Sequence, residues 1–396
     1  MTYAARSNAC GDGKDIVAIG EALNIYRSIE SYGHWSGVNC VPGPVRVAVS
    51  VRDHQVVGLR THIGGVWPKS VEPSIDLGHV PARDAAAYFI SLAPLSGSSS
   101  RLNPLLAAAA ADSTDIAPEM LKLARGTSLS RETRQRATHW AGMLGDATVV
   151  GPLVELARAG GDGRSASGED PGPGDGIESA ATGALSMVRD GAGIPALMGL
   201  ARQASPTVRK AAVFWLGQRD EPAARALVRA IADDAKEAEV IRGAAIFALG
   251  HGDNSTAADA TFLRGLFGRL ESERLKDRVL MAVSQSDTPG SGAWLLAQAR
   301  DDRQPMEVRR KAVFWAGQGH APVADIAALY RSVSETSLRE HIIFVLAQRD
   351  DELATSTLIN IARNDADHEM RKKALFWLAQ KDDPRVTKMI TDLVVR

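Results

Sequence analysis

The strongest constraint on this chain is a segment that returns about every 33 residues. VRKAAVFWLGQ (208–218), IRGAAIFALGH (241–251), LKDRVLMAVSQ (275–285), VRRKAVFWAGQ (308–318), LREHIIFVLAQ (338–348) and MRKKALFWLAQ (370–380) each place a basic residue ahead of an apolar run. The anchors are Arg209, Arg242, Lys276, Arg309, Arg339 and Arg371, spaced 30 to 34 residues apart. TRQRATHWAGM (133–143), anchored on Arg134, is an earlier copy, and IESAATGALSM (177–187) is a degenerate one with Glu178 at the anchor. A second helical segment fits between successive copies, as AARALVRAIAD does after Asp220-Glu221-Pro222. A unit this short cannot bury its apolar surface alone, so neighbours must stack. The pattern predicts a mostly α chain, an α-solenoid of about eight helix–turn–helix repeats over residues 102–396.

Composition agrees. At 396 residues the chain is too long for one ordinary core, whereas an elongated array has no such limit. Hydrophobic residues are 45% but aromatics only 5%, so the apolar share leans on Ala, Leu and Val and favours close helix packing. No apolar run reaches the roughly eighteen residues of a membrane span; Ala85–Leu95 is among the longest. With 46 basic and 47 acidic side chains, a general affinity for nucleic acid or anionic lipid is not expected.

Residues 1–80 read as a β-containing cap unit. Val45–Val51 alternates apolar and polar, Arg52–Gln55 is turn-like, and Val56–Ile63 resumes as a second strand, the signature of a hairpin. Gly64-Gly65 breaks the chain. Pro81 opens a helix to about Leu92, and 81–101 is helix and linker. Residues 160–176 (GGDGRSASGEDPGPGDG) form a flexible Gly-rich insertion between two helices of one unit. Its acids, Asp162, Glu169, Asp170 and Asp175, match no Ca²⁺-loop spacing. Cys10 and Cys40 are the only cysteines. Two readings stand: a disulfide closing the loop between them, or two reduced thiols. Neither has partners at zinc-ligand spacing.

Number each anchor helix from its basic residue as position 0. Positions −1, 3, 4, 6 and 7 fall on one broad arc, filled in one copy by Val208, Ala212, Val213, Trp215 and Leu216. Position 6 carries Trp140, Trp215, Trp315 and Trp377, expected in the core between repeats. Position 5 points roughly opposite the arc and holds Phe214, Phe247, Phe314, Phe344 and Phe376, with Met281 and His139 in two other copies. Position 9, on the same side, holds Gln218, Gln285, Gln318, Gln348 and Gln380, with His251 in one copy. Aromatics give contact area at low entropy cost, and Gln can pair with an extended peptide backbone. These ten residues are the candidate partner-binding set. The competing reading has successive Phe rings burying one another while Gln secures helix ends. Full exposure of a Phe would leave about 1.5–3 kcal/mol unclaimed, so some burial is expected either way.

The basic row has acids just before it: Glu132, Glu239, Glu273, Glu307 and Glu369, with Asp277 and Glu340 one residue after an anchor. Solvated structural ion pairs, not a phosphate track, are expected. An Asp recurs eleven residues past the anchor (Asp220, Asp253, Asp287, Asp350, Asp382), suited to capping the next helix; His320 and Gly145 stand there in two copies, with Asp146 just beyond.

The Arg anchor, the small-residue core and the turn Asp resemble the HEAT-repeat family, of the kind found in bilin-lyase-type repeat proteins, over residues 115–396. The resemblance implies a right-handed solenoid in which the second helix of each pair lines the concave face, and it carries no activity. In ordinary HEAT repeats position 5 is usually polar, so its Phe row is a departure. CGDG (10–13), PGPVRVAVSV (42–51) and GGVW (64–67) ahead of such repeats also look like uncharacterised bacterial HEAT proteins that carry an export signal. That implies a periplasmic or secreted location, although Met1–Cys10 has no signal-like apolar core; cytoplasmic is the alternative. HEAT-type hydroxylases hold iron with several His-Glu pairs, and only His368-Glu369 reads so here. HExxH, GxSxG and a P-loop are absent. No catalytic residue, metal or cofactor is assigned. The expected function is a non-catalytic scaffold for a protein or extended peptide. The alternatives are a structural module pairing through its β unit and, behind it, a lyase- or hydroxylase-like enzyme.

Overall fold

A computed structural model describes residues 1–14, 16–19, 24–27, 32–33, 40–67, 74–95, 102–112, 115–159, 172–251, 255–286, 288–319 and 321–394. The chain forms two compact units, Met1–Leu216 and Gly217–Arg396.

Among the described residues the first unit begins with the strands β1 (Thr2–Tyr3), β2 (Ala9–Gly11), β3 (Ile16–Ile19), β4 (Asn24–Arg27), β5 (Tyr32–Gly33), β6 (Val41–Pro42), β7 (Val45–Arg52) and β8 (Gln55–Ile63). The expected hairpin is β7–β8. Its turn, Asp53-His54, has φ of 50° and 61°, the doubly positive geometry that suits the twist of a two-residue hairpin loop. One hairpin was too little, however. β1, β7 and β8 make a three-stranded sheet, and β5-β4-β3-β2-β6 a second sheet of five. Strands of two to four residues show no readable alternation, which is why the second sheet escapes the sequence.

Three glycines let the two sheets meet backbone to backbone. Gly64 and Gly65 have φ of 59° and 57°. A Cβ on Gly64 would overlap the Val41 carbonyl, and one on Gly65 would overlap the Asp12 carbonyl. A Cβ on Gly43 would lie 2.8 Å from Gly64 Cα. Only glycine lets these backbones touch. Cys10 and Cys40 are disulfide-bonded, tying β2 to the entry of β6.

Tyr3 then links sheet to helices. It is fully buried, lies 6.0 Å from the Phe89 ring, and donates its hydroxyl to the Ala107 carbonyl at 2.7 Å. Phe89 is on α1 (Ala82–Ser91), capped by Pro81, and Ala107 on α2 (Pro104–Ala109). Helical hairpins follow: α3 (Ala117–Arg125) with α4 (Arg131–Leu144), α5 (Val150–Ala159) with α6 (Ile177–Met187), and α7 (Ile194–Gln203) with α8 (Pro206–Gly217). Of the Gly-rich insertion, residues 160–171, with Asp162, Glu169 and Asp170, lie outside the described residues. Asp175 is 3.7 Å from the Arg131 guanidinium.

The second unit continues with α9 (Pro222–Asp233), α10 (Glu239–Gly250), α11 (Ala257–Phe267), α12 (Glu273–Gln285), α13 (Ser291–Arg300), α14 (Met306–Gln318), α15 (Val323–Ser332), α16 (Thr336–Ala347), α17 (Glu352–Asn364), α18 (His368–Leu378) and α19 (Pro384–Val394). Each anchor helix of this unit packs on the next: α10 on α12, α12 on α14, α14 on α16, α16 on α18. The fold is mostly α, with helical repeats behind small antiparallel sheets, and every repeated segment lies on a helix.

The anchors have a definite job. Arg134, Arg209, Arg242 and Arg309 donate Nε to the carbonyls of Ala124, Ala201, Ala232 and Ala299, at 3.0, 2.9, 3.1 and 2.9 Å. Each carbonyl lies near the C-terminal end of the first helix of the same hairpin. A cation there satisfies an orphan acceptor and suits the helix dipole. This corrects the expectation of solvated pairs: the row is structural, but its main partner is backbone, and Arg309 is only 5% exposed.

The turn acids are also corrected, by one residue. Asp220 and Asp350 precede the caps Glu221 and Asp351, and the Asp351 side chain accepts from the Leu353 and Ala354 amides. Asp383, not Asp382, accepts from the Arg385 amide at 2.8 Å. Asp146 caps the short 3₁₀ turn that leads into α5. Asp253, Asp287 and His320 lie outside the described residues. A separate acid, Asp259 of α11, is completely buried; it receives Arg225 and Arg229 of α9 at 2.5 and 2.6 Å and closes a capping box with Thr256.

Candidate functional site

The candidate set lies on the anchor helices, and the two units are taken in turn. In the first unit, Phe214 on α8 is half-buried and meets its neighbour Trp215 edge to face at 5.2 Å. In the second, Phe247, Phe314 and Phe344 are half-buried and Phe376 is 61% exposed. Met281, which stands at the same position, is 8% exposed.

Neither extreme reading describes the row. The rings are not free-standing: each meets a Trp or His ring. Phe314 meets Trp315 at 5.1 Å and Phe376 meets Trp377 at 5.2 Å, both edge on. Phe247 stacks on His251 at 4.6 Å. Phe344 receives Trp377 from the next repeat at 5.3 Å. Each half-buried Phe therefore keeps part of its apolar surface available without the full cost of exposure.

Gln285, Gln318, Gln348 and Gln380 are exposed at the ends of their helices. Gln218 is half-buried and donates to the His251 carbonyl at 3.4 Å; Gln380 donates to the Phe376 carbonyl at 3.4 Å.

The Trp row departs from the expectation. Trp140 is core at 3% exposure, but Trp215, Trp315 and Trp377 are half-buried. They do bridge repeats. Trp215 lies over Gly183 of α6, and Trp315 donates Nε1 to Asp277 of α12 at 2.6 Å.

Charges beside the row form rungs between repeats. Lys311 of α14 reaches back to Asp277 at 3.6 Å, and Lys373 of α18 reaches Glu340 of α16 at 3.7 Å. A Lys at position 2 thus meets an acid at position 1 of the preceding repeat. Arg310 pairs with Glu307 and holds that carboxyl below its ordinary pKa through their hydrogen bond. His341 occupies position 2 of α16, where Arg310 precedes it. Burial first, then Arg310, lowers its pKa, and Nε2 is buried without a hydrogen-bond partner among the described residues. The rungs could have been read from the sequence by comparing charges one repeat apart rather than within one helix.

Among the described residues, no three His, Cys, Asp or Glu side chains are grouped to hold a metal ion. Among the described residues, no helix is long and apolar enough to cross a membrane.

A family model of HEAT repeats matches residues 176–250. No curated protein matches the chain. Solved structures with partial similarity include the CpcE–CpcF complex of phycocyanin lyase from Nostoc sp. PCC7120, at 18% identity and TM-score 0.31, covering 62% of this chain and 93% of that one. Human deoxyhypusine hydroxylase is 14% identical at TM-score 0.25, covering 75% and 96%. A full-length AP-3 complex is 13% identical at TM-score 0.40, covering 79% and 57%. The family match shows HEAT repeats over residues 176–250, and the same repeated segment recurs on helical hairpins before and after them.

Proposed function

We propose that the protein is a non-catalytic scaffold that binds a protein or an extended peptide. The binding face is the one on the second unit that carries Phe247, Phe314, Phe344 and Phe376 beside Gln285, Gln318, Gln348 and Gln380. The observation that supports this most is the half-burial of Phe247, Phe314 and Phe344: each meets a Trp or His ring and keeps some surface exposed, on helices that end in exposed amides. Rigid aromatics beside polar hydrogen-bonding groups make a contact surface with little to reorganise on binding.

The test is the Phe314→Ala/Phe344→Ala pair in a pull-down. Loss of partner capture with an unchanged helical circular dichroism spectrum supports the reading. Retained capture, or loss of the helical signal with capture unaffected, overturns it. The β7–β8 hairpin favours a second reading, a module that pairs with another chain, because Val51 and Val57 at its tip are 62% and 44% exposed. The Cys10–Cys40 cystine supports a periplasmic or secreted location, since such bonds persist in oxidising compartments.

A further inference from the structure

The outer face of α18 repeats a face that is covered everywhere else in the second unit. Position 4 of the anchor helix is fully buried in α10, α12, α14 and α16, at Ile246, Leu280, Val313 and Ile343. In α18 it is Leu375, 37% exposed, and Phe376 beside it is 61% exposed. One repeat earlier the same face is filled. α18 lays Trp377 on Phe344 at 5.3 Å and pairs Lys373 with Glu340 at 3.7 Å, and Lys381, just past its end, donates Nζ to the Arg349 carbonyl at 3.0 Å. Lys373 and Trp377 are four residues apart and share one face of α18, and Lys381 follows four residues later, just beyond the helix end at Leu378. The covering helix therefore has a defined pattern: a charged residue, an aromatic four residues on, and a basic residue four beyond that.

On α18 one element of the pattern is reversed. Position 1, an acid in α12 and α16 (Asp277, Glu340), is Lys372. Lys372 reaches only Glu369 of its own helix, at 3.2 Å, and both side chains are well exposed. Lys373 beside it is already taken by Glu340, and Asp383 by Arg385, so Lys372 is the charge this face offers a partner.

We propose that the exposed face of α18 docks an amphipathic helix of a partner protein, one that sets an acidic residue against Lys372, an aromatic residue against Phe376 four residues later, and a basic residue near the carbonyl of Lys381. A second copy of this chain docking as α18 docks on α16 would set its Lys373 against Lys372, so the charge favours an acidic helix. The site shares Phe376 with the proposed binding face but stands on its own geometry, and Phe314 and Phe344 are not part of it.

The test uses the full chain and two synthetic peptides of residues 367–383, one unaltered and one carrying Lys373→Glu, read by fluorescence anisotropy. The Glu peptide has the required acid, aromatic and basic residues in order. It binds saturably, and about fivefold more tightly than the unaltered peptide, the size of effect an exposed ion pair gives. Lys372→Glu in the full chain reverses that preference. Phe376→Ser, at an exposed position, abolishes binding of both, whereas the Phe314→Ala/Phe344→Ala pair leaves it unchanged. Absence of saturable binding, a preference untouched by Lys372→Glu, or binding that survives Phe376→Ser overturns the proposal. So does self-association in sedimentation equilibrium that Phe376→Ser abolishes, because a second copy is then the occupant.

Discussion

Gly250 of α10 meets Ala282 of α12 so closely that a Cβ built on the glycine would lie 2.6 Å from the alanine Cα. The relation is periodic. Glycine at position 8 of one anchor helix faces position 6 of the next: Gly142 faces Ala184, Gly217 faces Ala248, and Gly317 faces Val345. The Trp residues stand where the preceding position 8 is not glycine: Ser186 before Trp215, Ser284 before Trp315, Ala347 before Trp377. A glycine at position 8 lets the next helix come so close that position 6 holds nothing larger than valine; where position 8 carries a Cβ, position 6 holds an indole.

Gly250→Ala is therefore expected to destabilise the second unit by about 1–3 kcal/mol, the usual cost of overpacking a closed contact. Gly199→Ala, in the middle of α7 with open space around its Cβ position, should instead stabilise by up to about 1 kcal/mol through helix propensity. Urea unfolding followed by circular dichroism separates the two. Equal and opposite shifts are not needed, but a Gly250→Ala midpoint at or above that of the parent would refute the close-contact account.

How much of this was legible beforehand depends on the range of the signal. The β7–β8 hairpin and the anchor helices were readable because their periodicity lies within about ten residues. The pairing of position 8 with position 6 spans a whole repeat, so Trp215 and Trp315 looked like uniform core when they are half-buried bridges. The helix caps came out one residue off because the cap is fixed by where the backbone leaves the helix, which at Asp351 is one step beyond the recurring Asp. Strands as short as β5 and β6 carry no pattern at all. Of the candidate site, the Phe and Gln positions could be read from the sequence, but the Trp and His rings that the Phe rings meet could not.

The anchor Arg309 joins Ala299 and Glu335. Its Nε donates to the Ala299 carbonyl at 2.9 Å and its Nη1 to the Glu335 carboxylate at 2.6 Å. Arg309→Met strands both acceptors and should cost about 2–3 kcal/mol, less than a fully buried pair because Glu335 is partly exposed. Arg309→Lys, which keeps the charge but loses the fork, should cost about 1 kcal/mol. The guanidinium hydrogen bond holds the Glu335 carboxyl below its ordinary pKa. A depressed carboxylate stabilises above its unfolded pKa and loses that contribution as pH falls through the folded value. The gap between Arg309→Met and the parent should thus narrow on acidification below about pH 4. A gap that stays constant to pH 3 would mean that Glu335 is not the partner that matters.

The Cys10–Cys40 bond closes a loop with a sequence separation of 30 residues. Loop-closure entropy puts its contribution at about 3–4 kcal/mol. The bond lies within the five-stranded sheet, so its loss should be felt locally. Cys10→Ser/Cys40→Ser is expected to raise amide exchange in β2, β3 and β6 while α10 to α18 keep their protection. Thiol titration of the unreduced, denatured protein should find no free thiol; two would contradict the cystine.

His139 stands at position 5 of α4, where five other copies carry Phe. It lies 5.4 Å from the buried Trp140 ring, edge to face. Burial lowers its pKa to about 4. A neutral imidazole in the folded state and an ordinary one in the unfolded chain make protonation favour unfolding. Its contribution to stability is therefore fully present above about pH 6.5 and is lost as pH falls towards 4, an effect on the order of 2 kcal/mol. His139→Phe restores the commonest residue of the row, cannot take a proton, and should flatten the stability profile of the first unit between pH 6.5 and 4 while leaving its stability at pH 7.5 within about 1.5 kcal/mol of the parent. Chemical unfolding at a series of pH values measures both quantities. If the variant keeps the same slope as the parent across that window, another group titrates there and His139 is not the acid-sensitive contact.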